Sequence, residues 1–344
     1  MNEQLVQVAE AMGAKGKGIL AADESSGTIK KRFDSIDVDS TEGNRRDYRE
    51  MLFRSRDALR DHISGVILFD ETLRQSAADG TPLVQLIADA GSIPGIKIDK
   101  GAHDLAGAPG EKVTEGLDGL RERLAEYYEL GARFTKWRAV IDIGRGGDRS
   151  IPSAYCIGAN AHALARMAAL SQEQGLVPIV EPEVLMDGDH DIDRCFEVTE
   201  ATLKQVYMAL FHQRVVLEGS VLKPNMVLSG KLCSEQAGVE EVAEKTVRCL
   251  KRAVPAAVPS VVFLSGGQLD IEATAHLNAM NAAYDMPWNL SFSYGRALQA
   301  APLQAWGGAA DNVGAAQTAF AHRARMNGLA TEGRWSMELE QAAA

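Results

Sequence analysis

Apolar runs and helical stretches alternate about eight times along this chain, and that rhythm restricts the fold more than any single motif does. Runs rich in Ile, Val, Leu and Phe fall at 19–22, 63–69, 93–100, 133–141, 176–185, 219–230, 260–268 and 288–296. Between them lie segments with apolar residues at helical spacing, including 44–61, 82–90, 117–130, 153–174, 192–213, 239–254 and 269–282. A further helical stretch, 2–15, precedes the first run, and a helix near 311–326 follows the last. Strands that alternate with helices build a parallel sheet covered on both faces. Eight repeats of that unit predict an α/β chain closed into one (β/α)8 barrel, the TIM-barrel architecture. The 344 residues fit a single barrel domain over 1–326. From Asn327 onward the periodicity weakens, so 327–344 reads as a C-terminal tail.

In such a barrel, chemistry sits at the C-terminal ends of the strands. Here those ends are conspicuously polar. They supply Asp23, Glu71, Lys97 with Asp99, Lys136 with Arg138, Glu181 with Glu183, Lys223, Ser265 with Gly266, and Ser293 with Gly295 and Arg296. Lys136 and Arg138 share one side by period-two alternation, as do Glu181 and Glu183. Lys223 lies in the stretch Gly219-Ser-Val-Leu-Lys-Pro-Asn-Met-Val-Leu-Ser-Gly230, where Pro224 removes a ladder donor and ends the strand. One strand-end lysine on its own would be read as snorkelling to water. Lysines and acids recurring inside otherwise apolar strands argue for a site.

Net charge −11 opposes a general nucleic-acid partner, which needs a basic face. No apolar run approaches a membrane span, and the first residues lack a basic region followed by an apolar stretch. The expectation is a cytoplasmic protein with no membrane or nucleic-acid partner. Four cysteines, at 156, 195, 233 and 249, form no C-x-x-C pair and read as free thiols. The seven histidines include no H-x-H or H-x-x-H pair, so a catalytic zinc is not expected. The acidic run 187–193 resembles a calcium loop only superficially. Its sixth position is Ile192 and its twelfth Val198, where glycine and glutamate are needed, so it reads as a helix start. The glycine-rich segment 143–148 opens no helix and reads as a loop, not a dinucleotide fingerprint.

Three lysines and several carboxylates around one mouth suit imine chemistry. A neutral amine on Lys223 would attack a ketone, and the resulting iminium would draw electrons from the neighbouring carbon–carbon bond. Lys136 and Lys97 supply neighbouring cations that favour the neutral amine. Glu181 and Glu183 can carry the protons that imine formation and loss of water require, and Asp23 is the candidate base on a substrate hydroxyl. The Ser265-Gly-Gly turn and Ser293-Tyr-Gly-Arg296 offer hydroxyls, backbone N–H groups and a guanidinium. They form a phosphate cradle at strands seven and eight.

Seven segments in order carry a family resemblance. They are Gly18-Ile-Leu-Ala-Ala-Asp-Glu-Ser25, Gly95-Ile-Lys-Ile-Asp-Lys-Gly101, Lys136-Trp-Arg138, Val180-Glu-Pro-Glu183, Leu222-Lys-Pro-Asn-Met226, Leu264-Ser-Gly-Gly-Gln268 and Ser291-Phe-Ser-Tyr-Gly-Arg-Ala-Leu298. Over roughly 5–327 the chain resembles the class I fructose-bisphosphate aldolases. The resemblance implies a lyase that cleaves fructose 1,6-bisphosphate reversibly to dihydroxyacetone phosphate and glyceraldehyde 3-phosphate, in glycolysis and gluconeogenesis. It implies a Schiff base on Lys223, with Glu181 as proton-transfer acid and base and Lys136 assisting. Asp23 would contact the C4 hydroxyl, and Glu183 would hold the lysine network. Ser265, Gly266, Gly295 and Arg296 would take the C1 phosphate. Lys97 and Arg138, joined by Ser25 and Arg32, would serve the C6 phosphate. No cofactor or metal is implied, and a homotetramer is.

One departure stands out: many family members end in a tyrosine that helps exchange the enamine proton, whereas here the last tyrosine is Tyr294 and the chain ends in alanines. Two other readings compete. One is an imine aldolase for fructose 1-phosphate or sedoheptulose bisphosphate; retention of both Lys97 and Arg138 favours a substrate phosphorylated at both ends. The other is a binding scaffold, which would need none of the acids, bases or imine lysine.

Overall fold

The computed structural model describes residues 2–146 and 149–342. Eight parallel strands close into a barrel in the neighbour order β1-β8-β7-β6-β5-β4-β3-β2. They are β1 Gly18–Ala22, β2 Ile63–Leu68, β3 Ile93–Lys97, β4 Phe134–Ile141, β5 Val177–Val184, β6 Val221–Leu222, β7 Ser260–Phe263 and β8 Asn289–Tyr294. The barrel expected from the alternation is therefore present, and every run expected as a strand contributes one.

The helices, in chain order, are α1 Asn2–Met12, α2 Ser26–Asp34, α3 Glu42–Phe53, α4 Arg56–His62, α5 Asp70–Arg74, α6 Leu83–Asp89 and α7 Leu120–Glu129. They continue with α8 Ala154–Glu173, α9 Ile192–His212, α10 Val239–Ala253, α11 Asp270–Ala283, α12 Arg296–Trp306, α13 Val313–Thr331 and α14 Met337–Ala342. Local chemistry explains several starts. Ser153 accepts the Cys156 N–H at 3.1 Å, and Asp191 accepts that of Arg194 at 2.8 Å, both N-caps. The acidic run around Asp191 thus opens α9, as its composition suggested.

Four details differ from expectation. The stretch 44–61 is two helices, parted at Arg54 and Ser55. The connection between β3 and α7, where no strand was expected, holds a hairpin, Ala102–Asp104 against Lys112–Thr114. Gly144–Gly146, in the segment 143–148 read as a loop, pairs with Arg149–Ile151 just beyond it; Gly147 and Asp148 lie outside the described residues. The boundary placed at 326/327 falls inside α13, and α14 follows it. Short hairpins and a six-residue helix carry too little periodicity to stand out in a sequence.

The barrel interior is layered. One buried cluster joins Leu5, Ala9 and Met12 of α1 to Ile19, Ala21, Ile67, Phe134, Val177, Ile179, Val221 and Val262 of the strands. Helix α1 therefore stoppers one end. A separate, larger cluster fills the space between strands and outer helices. Each fully buried aliphatic side chain adds about 1.5–3 kcal/mol, so these two layers supply the main driving force for closure. Two positions further along the same strands, the inward face changes character. Ala21 is followed by Asp23, Phe134 by Lys136, Ile179 by Glu181, and Val221 by Lys223. Side chains that alternate across a strand return to the same face every second residue, so the apolar floor and the charged mouth share one lumen.

Candidate active site

Lys223 follows the two-residue strand β6, and its backbone is fixed from both sides. Its N–H donates to Val180 O at 2.8 Å, and the carbonyl of Pro224 accepts from Leu264 N at 3.1 Å. Pro224 lacks an N–H, which accounts for the brevity of β6. The side chain, only 4% exposed, directs Nζ to within 3.2 Å of Glu181 Oε1. Glu181 Oε2 lies 3.4 Å from Lys136 Nζ, within ion-pair range but beyond a good hydrogen bond. Lys136 in turn reaches Asp23 Oδ2 at 2.6 Å. Two lysines and two carboxylates from four strands thus form one connected, buried chain.

The charges follow from these distances. Burial works to raise the Asp23 pKa, but the Lys136 and Lys223 ammonium groups outweigh it and hold the carboxyl at about 2. Burial likewise opposes the Lys136 ammonium, yet Asp23 and Glu181 prevail and its pKa is raised. Lys136 is therefore the fixed cation of the group.

A mouth of about 290 Å³ is lined by all fourteen residues expected at the site: Asp23, Ser25, Arg32, Lys97, Lys136, Arg138, Glu181, Glu183, Lys223, Ser265, Gly266, Ser293, Gly295 and Arg296. Ala21, Glu24, Thr28 and Leu264 complete it. Glu71, a strand-end acid, does not join it. Its carboxylate is taken by Arg45 at 2.8 and 2.6 Å, and Arg49 approaches at 3.6 Å.

The two ends of the mouth differ. On one side stand Ser265, Gly266, Ser293, Gly295 and Arg296. A side chain at Gly266 would meet Met186 Cε at 2.7 Å and Leu264 Cδ1 at 2.9 Å, and Gly267 adopts φ +80°. Only glycines let this turn present its backbone so closely. The Ser293 hydroxyl is buried without a partner, a donor left for a ligand. Arg32 belongs here too, since its NH2 lies 3.2 Å from where a Gly295 Cβ would be. The sequence reading groups it with Lys97, Arg138 and Ser25. Helix α2 carries it across to β8, a placement that sequence order did not reveal. Glu24 anchors Arg32 at 2.5 Å and accepts Gln299 Nε2 at 2.8 Å.

On the other side, Lys97 Nζ is held 2.6 Å from Asp99 Oδ1, and the Arg138 guanidinium pairs with Glu183. Glu183 thus binds Arg138, and its carboxylate makes no ion pair with Lys223. Asp99 Oδ2 also accepts the Arg138 N–H at 3.2 Å. The Ser25 and Thr28 hydroxyls lie 3.2 Å apart at the entrance. Thr28 escaped the sequence reading as a site residue. Thr28 stands three residues after Ser25, one helical turn, which is the spacing that could have found it.

Tyr294 does not serve as a mobile hydroxyl. It is fully buried and donates to Ala273 O at 3.0 Å, and burial raises its pKa. Among the described residues, no three His, Cys, Asp or Glu side chains gather where they could hold a metal ion, and no helix is long and apolar enough to cross a membrane.

Comparison with known proteins assigns the family. The family model described as fructose-bisphosphate aldolase class-I matches residues 4–344. A protein of Xanthomonas campestris pv. campestris named probable fructose-bisphosphate aldolase class 1 is 62% identical, over 97% of this chain and 98% of its own. The cytosolic fructose-bisphosphate aldolase 6 of Arabidopsis thaliana is 55% identical, over 97% and 92%. Among solved structures, the Plasmodium falciparum fructose-bisphosphate aldolase, crystallised with TRAP and a small-molecule inhibitor, superposes with a TM-score of 0.94 at 48% identity, covering 97% of this chain and 95% of that one. On this evidence the chain belongs to the class I fructose-bisphosphate aldolase family.

Proposed function

We propose that this lyase cleaves fructose 1,6-bisphosphate to dihydroxyacetone phosphate and glyceraldehyde 3-phosphate through an imine on Lys223, and runs the reverse condensation in glycolysis and gluconeogenesis. The observation that carries the reading is Glu181, whose two oxygens reach Lys223 and Lys136 separately. A carboxylate so placed can take a proton from the attacking amine and return it to the departing hydroxyl. Lys136, held charged by Asp23, polarises the carbinolamine oxygen as water leaves. The iminium then withdraws electrons from the C3–C4 bond. Asp23 removes the C4 hydroxyl proton, the bond breaks, and the aldehyde departs, leaving the enamine on Lys223. Protonation of the enamine and hydrolysis release the second triose. Tyr294 being locked away, water, the substrate phosphate or another residue supplies the enamine proton.

The C1 phosphate is assigned to Ser265, Gly266, Ser293, Gly295, Arg296 and Arg32. The far phosphate is assigned to Lys97, Arg138 and Ser25. Cations at both ends favour a bisphosphate over fructose 1-phosphate. The reaction uses no metal, so chelator leaves it unchanged. Assembly as a cytoplasmic homotetramer is part of the same reading. Phe211 and Met208 on α9 and Tyr155 on α8 are exposed large apolar groups that an interface would cover.

The decisive experiment is borohydride reduction with dihydroxyacetone phosphate, followed by intact-mass and peptide mass spectrometry. A reduced adduct on Lys223, absent from Lys223→Ala, is the expected result. No adduct in a folded protein that still binds the ligand would end the imine reading and favour a phosphate-binding scaffold.

A further inference from the structure

Glu340 lies on α14, near the end of the described chain, yet is only 7% exposed. Its Oε1 accepts His322 Nε2 at 2.9 Å and pairs with Arg323 NH1, and its Oε2 accepts Trp335 Nε1 at 2.8 Å. Burial works to raise the Glu340 pKa, but Trp335, Arg323 and His322 outweigh it and hold the carboxyl below its ordinary value. A six-residue helix is too short to persist by itself, so these contacts are what keep it in place.

Arg323 carries the connection inward. It is 3% exposed, and its NH2 donates to Thr274 Oγ1 at 2.7 Å and to Asp270 O at 3.3 Å. Both acceptors belong to the first turns of α11, which begins directly after the segment Ser265-Gly-Gly-Gln-Leu269. The other half of the phosphate cradle is tied to the same place, because Tyr294, between Ser293 and Gly295, donates to Ala273 O. Both halves of the cradle are thus moored to one end of α11, and Arg323 moors that end. A guanidinium this deep needs a close counter-charge. Asp270 Oδ2 is 3.8 Å away and a third exposed, so Glu340 is the near and buried partner.

We propose that Glu340, acting through Arg323, is a positioning residue for the phosphate cradle, so that α14 clamps the site from outside the barrel. The proposal rests on the reading that this cradle holds the substrate C1 phosphate. Without the Glu340 charge, Arg323 turns toward Asp270 or water. The start of α11 then loosens, and the Ser265–Gly266 turn and Gly295 lose their fixed spacing.

The test compares full-length Glu340→Gln with Trp335→Phe, which removes one donor to Glu340 but leaves the Arg323 pair. Hydrogen exchange of the peptide spanning 264–274 is followed by mass spectrometry at 25 °C. KM for fructose 1,6-bisphosphate and Kd for dihydroxyacetone phosphate are measured alongside. For Glu340→Gln, exchange speeds up, and KM and Kd rise about fivefold, the equivalent of about 1 kcal/mol, with kcat changed less than about twofold. Trp335→Phe lowers Tm without moving Kd. Wild-type exchange and KM in Glu340→Gln would overturn the proposal. So would Kd changes that merely track the Tm loss in both variants. Should Glu340→Gln fail to fold, Arg323→Lys, which keeps the cation but loses the fork, carries the same expectation. Exchange needs no turnover, so faster exchange alongside a wild type that cleaves no bisphosphate would leave the clamp standing and overturn the assigned reaction.

Discussion

Lys136 Nζ lies 2.6 Å from Asp23 Oδ2, and this pair separates the roles of the two lysines at the bottom of the mouth. A lysine bound to an aspartate of its own remains an ammonium. Lys223 Nζ instead lies 3.2 Å from Glu181 Oε1, and in the imine reading it is the residue that supplies the attacking amine. Asp23→Asn should therefore lower kcat for cleavage by about 10²–10⁴-fold, the usual contribution of a positioned proton acceptor. Borohydride trapping of dihydroxyacetone phosphate on Lys223 should survive the change. Loss of trapping together with cleavage would assign Asp23 to imine formation instead.

The same pair fixes an acid response. The Asp23 pKa falls to about 2 in the folded chain, against an ordinary 3.8. A depressed carboxyl contributes stability that is complete above its unfolded pKa and disappears as pH falls through its folded one. That contribution is about 2 kcal/mol and should vanish between about pH 4 and pH 2. Urea unfolding at pH 5.5 and at pH 3 should show a smaller acid loss in Asp23→Asn than in the wild type. Equal losses in both proteins would remove Asp23 from the acid transition.

Arg138 and Lys97 are each neutralised by a carboxylate of their own, Glu183 and Asp99. A far phosphate must compete for them. Arg138→Ala should raise KM for fructose 1,6-bisphosphate by about tenfold, within the range for losing a charge-assisted hydrogen bond. KM for fructose 1-phosphate should barely move. Comparable increases for both substrates would place Arg138 outside the far-phosphate site.

Gly267 has φ +80°, and a Cβ there would run into Met186 Cγ. Gly267→Ala should destabilise the protein by about 2 kcal/mol from backbone strain and overpacking. It should also weaken dihydroxyacetone phosphate binding. Adding Met186→Ala should recover part of the binding, because the clash is then gone while the strain remains. No recovery in the double variant would show that backbone conformation alone sets the turn.

Glu24 sits between two arginines, Arg32 at 2.5 Å and the buried Arg49 at 3.8 Å, and accepts Gln299 Nε2. Glu24→Gln removes the charge shared by both. The expected cost is about 3 kcal/mol, the scale of breaking one side of a buried ion pair. KM should rise as Arg32 loses its hold over Gly295. Denaturant unfolding with steady-state kinetics checks both effects.

The barrel and the composition of its mouth were legible because they depend on period. Short apolar runs in 133–141 and 176–185 define strands, and the alternation of side chains along a strand carries Lys136, Arg138, Glu181 and Glu183 to one side. Partner choice was not legible. Nothing in the order of residues says that Glu183 takes Arg138, that Arg32 reaches Gly295, or that Glu71 is captured by Arg45. Those outcomes depend on side-chain reach across elements joined only by tertiary packing. Helix α14 was missed for another reason. Its stability comes from Glu340 meeting Arg323 and Trp335, an arrangement invisible to local propensity.

Strand register holds one more consequence. Lys97 stands opposite Lys136, and Arg138 opposite Glu181, across adjoining strands. One residue inserted into β4 upstream of Lys136 would turn Lys136 and Arg138 outward together and break both pairings at once. Insertions between strands disturb no such pairing. Length changes in a lineage built on this scaffold should therefore collect in the connections, while the spacing from Phe134 to Arg138 and from Val177 to Glu183 stays invariant. A deletion scan scored by growth on a sugar that must pass through this reaction would map that boundary residue by residue.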